Sequence, residues 1–348
     1  VCGFSGYFAE AASMVVSSRK RTVLTKAIYS SGDAFADRRA EYARQLDQSG
    51  DPVAAAELME QALELAPEWA AGWDLLGNYY EKADNLSAAI GAWRRLEALD
   101  DHGLFGAKLK LAAHNAGAAG QGTAVGYVEA LFDQYASKFE HSLVGKLGYK
   151  VPDLLDQIVS EEMVRLGIER FSCAIDLGCG TGLMGQRLRD KVDHLEGVDI
   201  SAAMIAETAR KGIYDNLEKA ELVELLNRRN NDTDLLTAAD VLIYCGAIEP
   251  VLAAMMPALQ PGGLVAFSLE AHDGPEALFL RPSLRYAHGI EATRTALVAA
   301  GFNVLRYELA ELRKDRGLPI HGILVVAQKP VHQMTAANDD GVDSDVAA

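Results

Sequence analysis

Asp176, Leu177, Gly178, Cys179, Gly180, Thr181 and Gly182 set one carboxylate just ahead of three alternating glycines. Ala174 and Ile175 lead into the acid, and Leu183 to Arg189 resumes a helix-forming run, so the stretch reads as strand, tight turn and helix start. Glycine tolerates positive φ and lets backbone approach a ligand closely. The first turn of a helix adds unpaired N–H groups and a positive dipole end. Such a turn suits a nucleotide-like ligand. Gly180-x-Gly182-x-x-Gly185 also meets the dinucleotide spacing, so spacing alone does not choose between ligands. Asp199 closes a second apolar run and can take ribose hydroxyls in either case. Asp176 is the discriminating residue, because its charge repels a pyrophosphate and favours a cationic ligand.

The run from Asp176 to Gly182 resembles the first motif of the class I S-adenosylmethionine (SAM)-dependent methyltransferases, and the resemblance extends from about Phe132 to Lys329. It implies an α/β fold with a Rossmann-like, mostly parallel sheet whose last strand is antiparallel, and SAM as cofactor. In that family the glycine loop lies against the amino-acid part of SAM, with the strand-end acid near it, and the acid closing the second strand binds the ribose. Those roles fall on Asp176, Gly178, Gly180, Gly182 and Asp199, with Ile200 next to the last. Ala220 to Val223 reads as the third strand, which by the same resemblance brings Glu221 and Leu222 to the adenine. Phe132-Asp-Gln-Tyr135-Ala-Ser-Lys-Phe139 is similar to a segment that forms a helical flap over the cofactor, which adds Tyr135 to the binding set. The helical spacing of Phe132, Tyr135 and Phe139 also suits plain core packing.

Asp240 to Ala247 reads as a buried strand, so Gly246 to Glu249 should lie where ligands of open α/β sheets bind, beyond the strand's carboxyl end. The family often carries an acid where Ala247 stands, which implies one polar contact fewer here. Pro250 to Leu259 reads as a helix, Pro261-Gly262-Gly263 as a turn, and Leu264 to Leu269 as the next strand. Asn303 to Glu311 and Ile320 to Gln328 read as the final pair. Between them, His272, Arg281, Arg285, Tyr286 and His288 form the candidate acceptor wall. Arginines make forked contacts to carboxylate or phosphate, and a histidine can act as base near neutral pH. Arg285, Tyr286 and His288 are therefore the candidate catalytic residues; pinning the loop to the sheet is their competing role. Methyl transfer from a sulfonium asks mainly for alignment and exclusion of water, and for a base only when the acceptor must lose a proton.

The elements that must carry these residues divide the chain. Residues 1–31 form a leader, with apolar residues first and Arg19, Lys20, Arg21 and Lys26 after them, loosely similar to an organelle transit peptide and otherwise outside the fold. Residues 32–117 read as an all-helical domain: Tyr42 and Leu76, like Leu46 and Tyr80, stand 34 apart, the tetratricopeptide (TPR) period. Ala55, Gly77 and Ala89 let paired helices close up, with Tyr42, Tyr80 and Trp93 filling the groove and Leu104 to Asn115 capping the stack. Two repeats fall short of the three usually needed, so the array should rest on the next domain or on a second subunit in a homodimer. Arg281-Pro-Ser-Leu-Arg285-Tyr286-Ala-His288 resembles a signature of predicted methyltransferases that contain TPR repeats, which implies a protein partner on the array. Residues 118–150 then supply a linker, Gly/Ala-rich through Val125, and the flap; 151–330 form the methyltransferase domain and 331–348 an acidic, disordered tail.

A formal net charge of −16 argues against a phosphate-neutralising surface, though a global balance leaves room for a local basic groove, so nucleic acid is not the expected substrate. A small metabolite or a protein side chain is left as methyl acceptor, and the two arginines favour a small anion. The four cysteines make no C-x-x-C pair and no zinc spacing, so no metal is expected and a reducing, cytoplasmic setting fits. No apolar run reaches the ~20 residues that cross a bilayer. Two other readings compete: a repeat scaffold that binds SAM without catalysis, and an NAD-dependent oxidoreductase.

Overall fold

Residues 29–117, 124–136, 139–140, 148–315 and 317–331 are described by the computed structural model of the chain. The expected leader up to residue 28, the core of the linker and the acidic tail lie outside the described residues. Five helices come first: α1 (Ala34–Gln48), α2 (Pro52–Leu65), α3 (Ala70–Lys82), α4 (Leu86–Leu99) and α5 (Ala107–Ala113). Their starts are written locally. Asp33 accepts from the N–H groups of Phe35 and Ala36, Asp51 from Ala54 just ahead of Pro52, and Asn85 from Ala88. Each helix packs on the next, and α2 and α4 end at Leu65 and Leu99, 34 residues apart.

The seam between helices is made of small residues. Ala40, Ala43, Ala55, Ala62 and Ala89 are fully buried, with Met59 and Trp93 between them. Gly77 lies so close to Trp93 that a Cβ built there would stand 2.2 Å from the indole Nε1. Gly77→Val should therefore cost about 2–3 kcal/mol through overpacking, seen as a lower urea midpoint; an unchanged midpoint would mean that Trp93 can move aside. One expectation needs correcting. Tyr42 does not fill the groove but is 55% exposed, and Tyr79, 3% exposed, takes the inner position. The reason is angular: neighbouring residues of a helix point to different sides, and the buried face of α1 runs through Ala36, Ala40 and Ala43.

Val125 opens a helix, α6 (Val125–Tyr135), rather than closing a linker. This helix joins the two halves. A Cβ on Gly126 would meet the His102 carbonyl at 2.4 Å, and Gln134 donates to the Tyr29 hydroxyl. On the other side, Asp133 accepts from Ser201 Oγ at 2.6 Å and from the Ala203 N–H at 3.1 Å. The array thus leans on the sheet domain through α6. Next, α7 (Val151–Leu166) buries Leu155, Ile158, Val159 and Met163 and ends at Gly167 with φ +68°.

The sheet domain runs β1 (Phe171–Leu177), α8 (Leu183–Leu188), β2 (Val192–Asp199), α9 (Ala202–Ala209), β3 (Asn216–Lys219), α10 (Leu222–Leu226), β4 (Thr233–Ala238), α11 (Glu249–Ala258) and β5 (Leu259–His272). A hairpin follows, β6 (Leu278–Leu280) and β7 (Tyr286–Gly289), then α12 (Ile290–Ala299), β8 (Asn303–Asp315) and β9 (Leu318–Gln328). The strand order is β3-β2-β1-β4-β5-β9-β8, parallel except that β9 runs against both β5 and β8. Alternate residues feed opposite layers. Ile175, Leu236, Phe267 and Val325 pack with α11 and α12, while Ala174, Leu235, Ala266 and Leu324 pack with α7. Glu270 pairs with Gly322 of β9 on one edge and Ala287 of β7 on the other. The hairpin therefore occupies, past the end of β4, the edge that β4 holds lower down.

Three sequence expectations shift here. The third strand is Asn216–Lys219, and Ala220 to Val223 is instead a turn into α10, because Glu221 caps that helix by accepting from the Val223 and Glu224 N–H groups. The fourth strand is Thr233–Ala238, and the apolar run from Asp240 to Ala247 is a buried 3-10 turn centred on Leu242–Tyr244. A short apolar run is ambiguous by pattern alone. The true strand hid its identity behind Thr233, Asp234 and Thr237, all buried with side-chain or backbone partners. Pro261-Gly262-Gly263 is a bulge inside β5 rather than a turn before it, with the register against β4 shifting between Thr233 and Leu235. Among the described residues no helix is long and apolar enough to cross a membrane.

Candidate active site

The carboxyl ends of β1, β2 and β4 face one cleft, lined by Gly178 and Gly180 of the loop, Asp199 and Asp240. Gly178, Gly180 and Gly182 follow β1 with φ of +64°, +53° and +86°. Each has its own reason. A Cβ on Gly178 would strike Val241 at 2.5 Å, and one on Gly182 would press on Ile213 and Tyr214 at 3.3 Å. Gly180 meets nothing nearer than Phe139 at 3.9 Å and so leaves an open cradle on the cleft side. Gly185, the third glycine of the dinucleotide spacing, serves the structure behind the loop: a Cβ there would stand 2.2 Å from the Tyr214 hydroxyl, and its N–H donates to Asp176.

Asp199 ties the loop to the second strand. Its Oδ2 accepts from the Gly180 N–H at 2.9 Å and its Oδ1 from the Ser201 N–H at 2.8 Å. A carboxylate has about four lone-pair sites, so acceptor capacity remains on the side that lines the cleft. Burial pushes this carboxyl up to about 6, helped by the nearby Asp133 charge and against the Ser201, Gly180 and Ile200 N–H groups that favour its charge. Ile200, Glu221 and Leu222 line the same wall, although Glu221 spends one oxygen on its helix cap.

Asp176 is not brought to the cleft. It is 1% exposed and stands behind the loop, accepting from Tyr214 Oη at 2.7 Å and Thr237 Oγ1 at 2.9 Å. Burial pushes it up to about 6 as well. The direct attraction to a cationic ligand that its position suggested is thus screened by two hydroxyls, and its visible work is to lock β1, β4 and Tyr214 together. Gly182 likewise lies outside the cleft wall. Phe132 and Phe139 cover the cleft, whereas Tyr135 is 38% exposed and only meets Phe139 edge-on. The angular offset along α6 sends Phe132 inward and Tyr135 outward.

The far end of the cleft is polar. Asp240, Tyr244, Arg285, Arg313 and Tyr149 line it. Asp240, two residues past β4, supplies an acid at this end, while Ala247 lines a separate cavity. Below this end lies Glu270, 1% exposed, which meets Arg281 at 3.0 Å, Arg285 at 3.3 Å and, in a closer pair, Arg313. Asp240 takes the other arm of Arg313, and Asp315 stands 3.2 Å from Arg285. Arg281 is held by Glu270 and the Ala271 carbonyl rather than reaching into the cleft. Of the three candidate catalytic residues only Arg285 lines the cleft. Tyr286 is 2% exposed in β7, and His288, 3% exposed, binds the Gly246 carbonyl through Nε2 at 2.9 Å and faces a separate cavity beside Ala247 and Leu278. Burial pushes His288 down, so it is neutral at neutral pH. The sequence reading missed Tyr149, Asp240, Tyr244 and Arg313; only the acid placed just past an apolar strand carried a local signal.

Comparison with known proteins bears on this arrangement directly. Residues 175–265 match a family described as "Methyltransferase domain". Over that stretch the chain is similar to methyltransferases. The matched stretch holds the glycine loop, Asp199, Glu221 and Asp240, while Glu270, Arg285 and Arg313 lie outside it. Over 111 residues the chain is 30% identical to malonyl-[acyl-carrier protein] O-methyltransferase of Enterobacter lignolyticus (strain SCF1), covering 32% of this chain and 44% of that protein. Over 93 residues it is 39% identical to trans-aconitate 2-methyltransferase of Pseudomonas paraeruginosa (strain DSM 24068 / PA7), covering 26% and 33%. The matches therefore span less than half the length of these curated relatives. A solved structure of an S-adenosylmethionine-dependent methyltransferase from Clostridium acetobutylicum ATCC 824 is similar at 17% identity and a TM-score of 0.44, over 57% of this chain and 99% of that one. Among the described residues no group of three His, Cys, Asp or Glu side chains is placed to hold a metal ion.

Proposed function

We propose that the chain is a SAM-dependent methyltransferase acting on a small anionic acceptor rather than on nucleic acid. One observation carries this reading: Asp199 faces the cleft while clamped to Gly180, inside the stretch that matches a methyltransferase domain. The residues present suit SAM. Asp199 accepts from the ribose hydroxyls, Ile200, Glu221 and Leu222 flank the adenine, and the open backbone at Gly178 and Gly180 takes the amino-acid part. When bound, SAM supplies a methyl group already activated on a sulfonium. Phe132 and Phe139 exclude water, and Arg285 meets the acceptor. Asp176 supports the loop from behind. The named relatives act on malonyl-[acyl-carrier protein] and on trans-aconitate, which agrees with an anionic acceptor, and the chain's charge of −16 disfavours nucleic acid.

In this reading residues 32–117 are a TPR-like array that docks a protein partner or shapes access to the cleft, supported by the spacing of the ends of α2 and α4. Residues 118–150 link and cover, and 151–330 carry the chemistry. The test is a calorimetric titration of the full chain with S-adenosylhomocysteine. Saturable binding is expected, and NADH should give none; the reverse result ends the proposal. The affinity should also depend on pH with a defined sign. Burial raises Asp199 to about 6 in the free protein, so its ionised, hydroxyl-accepting form is lost below that value. Binding should strengthen as pH rises through 6 and level off above, with about a tenfold weaker affinity at pH 5 than at pH 7.5.

A further inference from the structure

We propose that the cleft end formed by Tyr149, Tyr244, Arg285 and Arg313 is a carboxylate subsite, and that the methyl acceptor is a small acid alkylated on that carboxylate. This rests on the methyltransferase reading and names its substrate class. The polar atoms left over at this end are donors. Arg285 donates to the Tyr244 hydroxyl, which leaves that hydroxyl's own hydrogen to point elsewhere. Burial pushes the phenols of Tyr149 and Tyr244 up, so both remain protonated at neutral pH. The Nε–H of Arg313 is buried and lacks a hydrogen-bond partner, while that of Arg285 is directed at Glu270 3.3 Å away, which leaves its terminal nitrogens for Tyr244 and Asp315.

Acceptors, by contrast, are already in use. Asp240 gives Oδ2 to Arg313 and Oδ1 to the Ser268 hydroxyl at 3.1 Å. Asp199 holds the loop, and Glu221 caps α10. Glu270 sits beneath three guanidinium groups, and Asp315, 37% exposed, is the one acid that competes for Arg285 from the solvent side. His288 looks into the other cavity. Of the acids lining the cleft, Asp199 and Glu221 keep acceptor sites but are taken by the ribose and the adenine in this reading, and at the acceptor end Asp240 has both oxygens engaged. An ammonium or an alcohol would arrive with a proton that nothing here can take. A carboxylate arrives without one, because it is ionised at neutral pH unaided.

The chemistry then closes without a base. A carboxylate oxygen forms the new O–CH3 bond as the methyl–sulfur bond breaks, sulfur keeps that electron pair as a neutral thioether, and no proton moves. The negative and positive charges cancel, and the products are a methyl ester and S-adenosylhomocysteine. The protein's part is alignment. Glu270 and Asp240 fix Arg313 from both sides, and Glu270 and Asp315 fix Arg285, so the donors are set before the acid enters.

The test uses the full chain saturated with S-adenosylhomocysteine and titrated with a fixed panel: aliphatic mono-, di- and tricarboxylates, malonate and trans-aconitate among them, with inorganic phosphate and methylamine as controls. At least one acid should bind saturably, and neither control should. Arg285→Met should weaken that acid by about tenfold to a hundredfold, while S-adenosylhomocysteine affinity stays within about twofold of wild type. Tyr149→Phe and Tyr244→Phe, which preserve shape, should each weaken the acid by about fivefold. With methyl-labelled SAM the same acid should take up label that alkali releases as methanol. If S-adenosylhomocysteine binds but no acid of the panel does, or phosphate binds as well as the best acid, or the label resists alkali, the carboxylate subsite is wrong and the cofactor reading stands. If S-adenosylhomocysteine itself fails to bind, the methyltransferase reading has failed first.

Discussion

Asp199→Asn should lower the affinity for S-adenosylhomocysteine by roughly 150-fold, about 3 kcal/mol. Two effects add. The ribose loses a charged acceptor, and hydrogen bonds to charged groups are worth about 1.5–3 kcal/mol. The amide also places an NH2 where an oxygen now accepts from the Gly180 or Ser201 N–H, so one end of the glycine loop is pushed off its anchor. Because the side chain is buried and the loop is local, the fold should survive, and the melting temperature without ligand should change little or rise as the buried charge is removed. Calorimetry with S-adenosylhomocysteine, alongside circular dichroism of the same sample, separates the two. Wild-type affinity in a folded variant would remove Asp199 from the binding site and with it the main support for the proposed cofactor.

The second large effect concerns stability. Glu270→Ala should destabilise the protein by about 3–5 kcal/mol, a large share of the 5–15 kcal/mol typical of a domain. Glu270 is the one carboxylate shared by Arg281, Arg285 and Arg313, and Arg313 is itself 1% exposed. Removing Glu270 leaves a buried guanidinium with only Asp240 opposite it. Glu270→Gln, which keeps shape and two acceptor sites, should fall between. Urea unfolding followed by circular dichroism and by tyrosine absorbance reads this, since Trp69, Trp73 and Trp93 all sit in the helical array and report on that half alone. A loss below about 1 kcal/mol for Glu270→Ala would show that water or Asp315 replaces the carboxylate, and that the arginine cluster is not held from beneath.

These two residues mark the boundary of what pattern reading reaches. Asp199 stood out because a ribose-binding acid follows from the strand before it. Glu270 did not, since a glutamate inside a long apolar strand carries no sign of three partners that arrive from the β6–β7 hairpin and β8. The same contrast holds for Arg285 and His288. Both sit in one short segment of apparent chemistry, yet β7 turns the imidazole away and leaves the guanidinium at the cleft.

By itself the sequence determined the local events: the glycine turn after β1, the caps at Asp33 and Asp51, and the stop of α7 at Gly167. Each depends on neighbours within a few positions, where residue type and spacing act directly. Tertiary structure alone decided which apolar run became β4, that Glu221 caps a helix, that Asp176 is enclosed by Tyr214 and Thr237, and that Tyr149, Tyr244, Arg285 and Arg313 meet. Those outcomes hinge on burial and on partners far away in the chain, and a side chain's neighbours across a sheet are set by strand order, which no local pattern encodes.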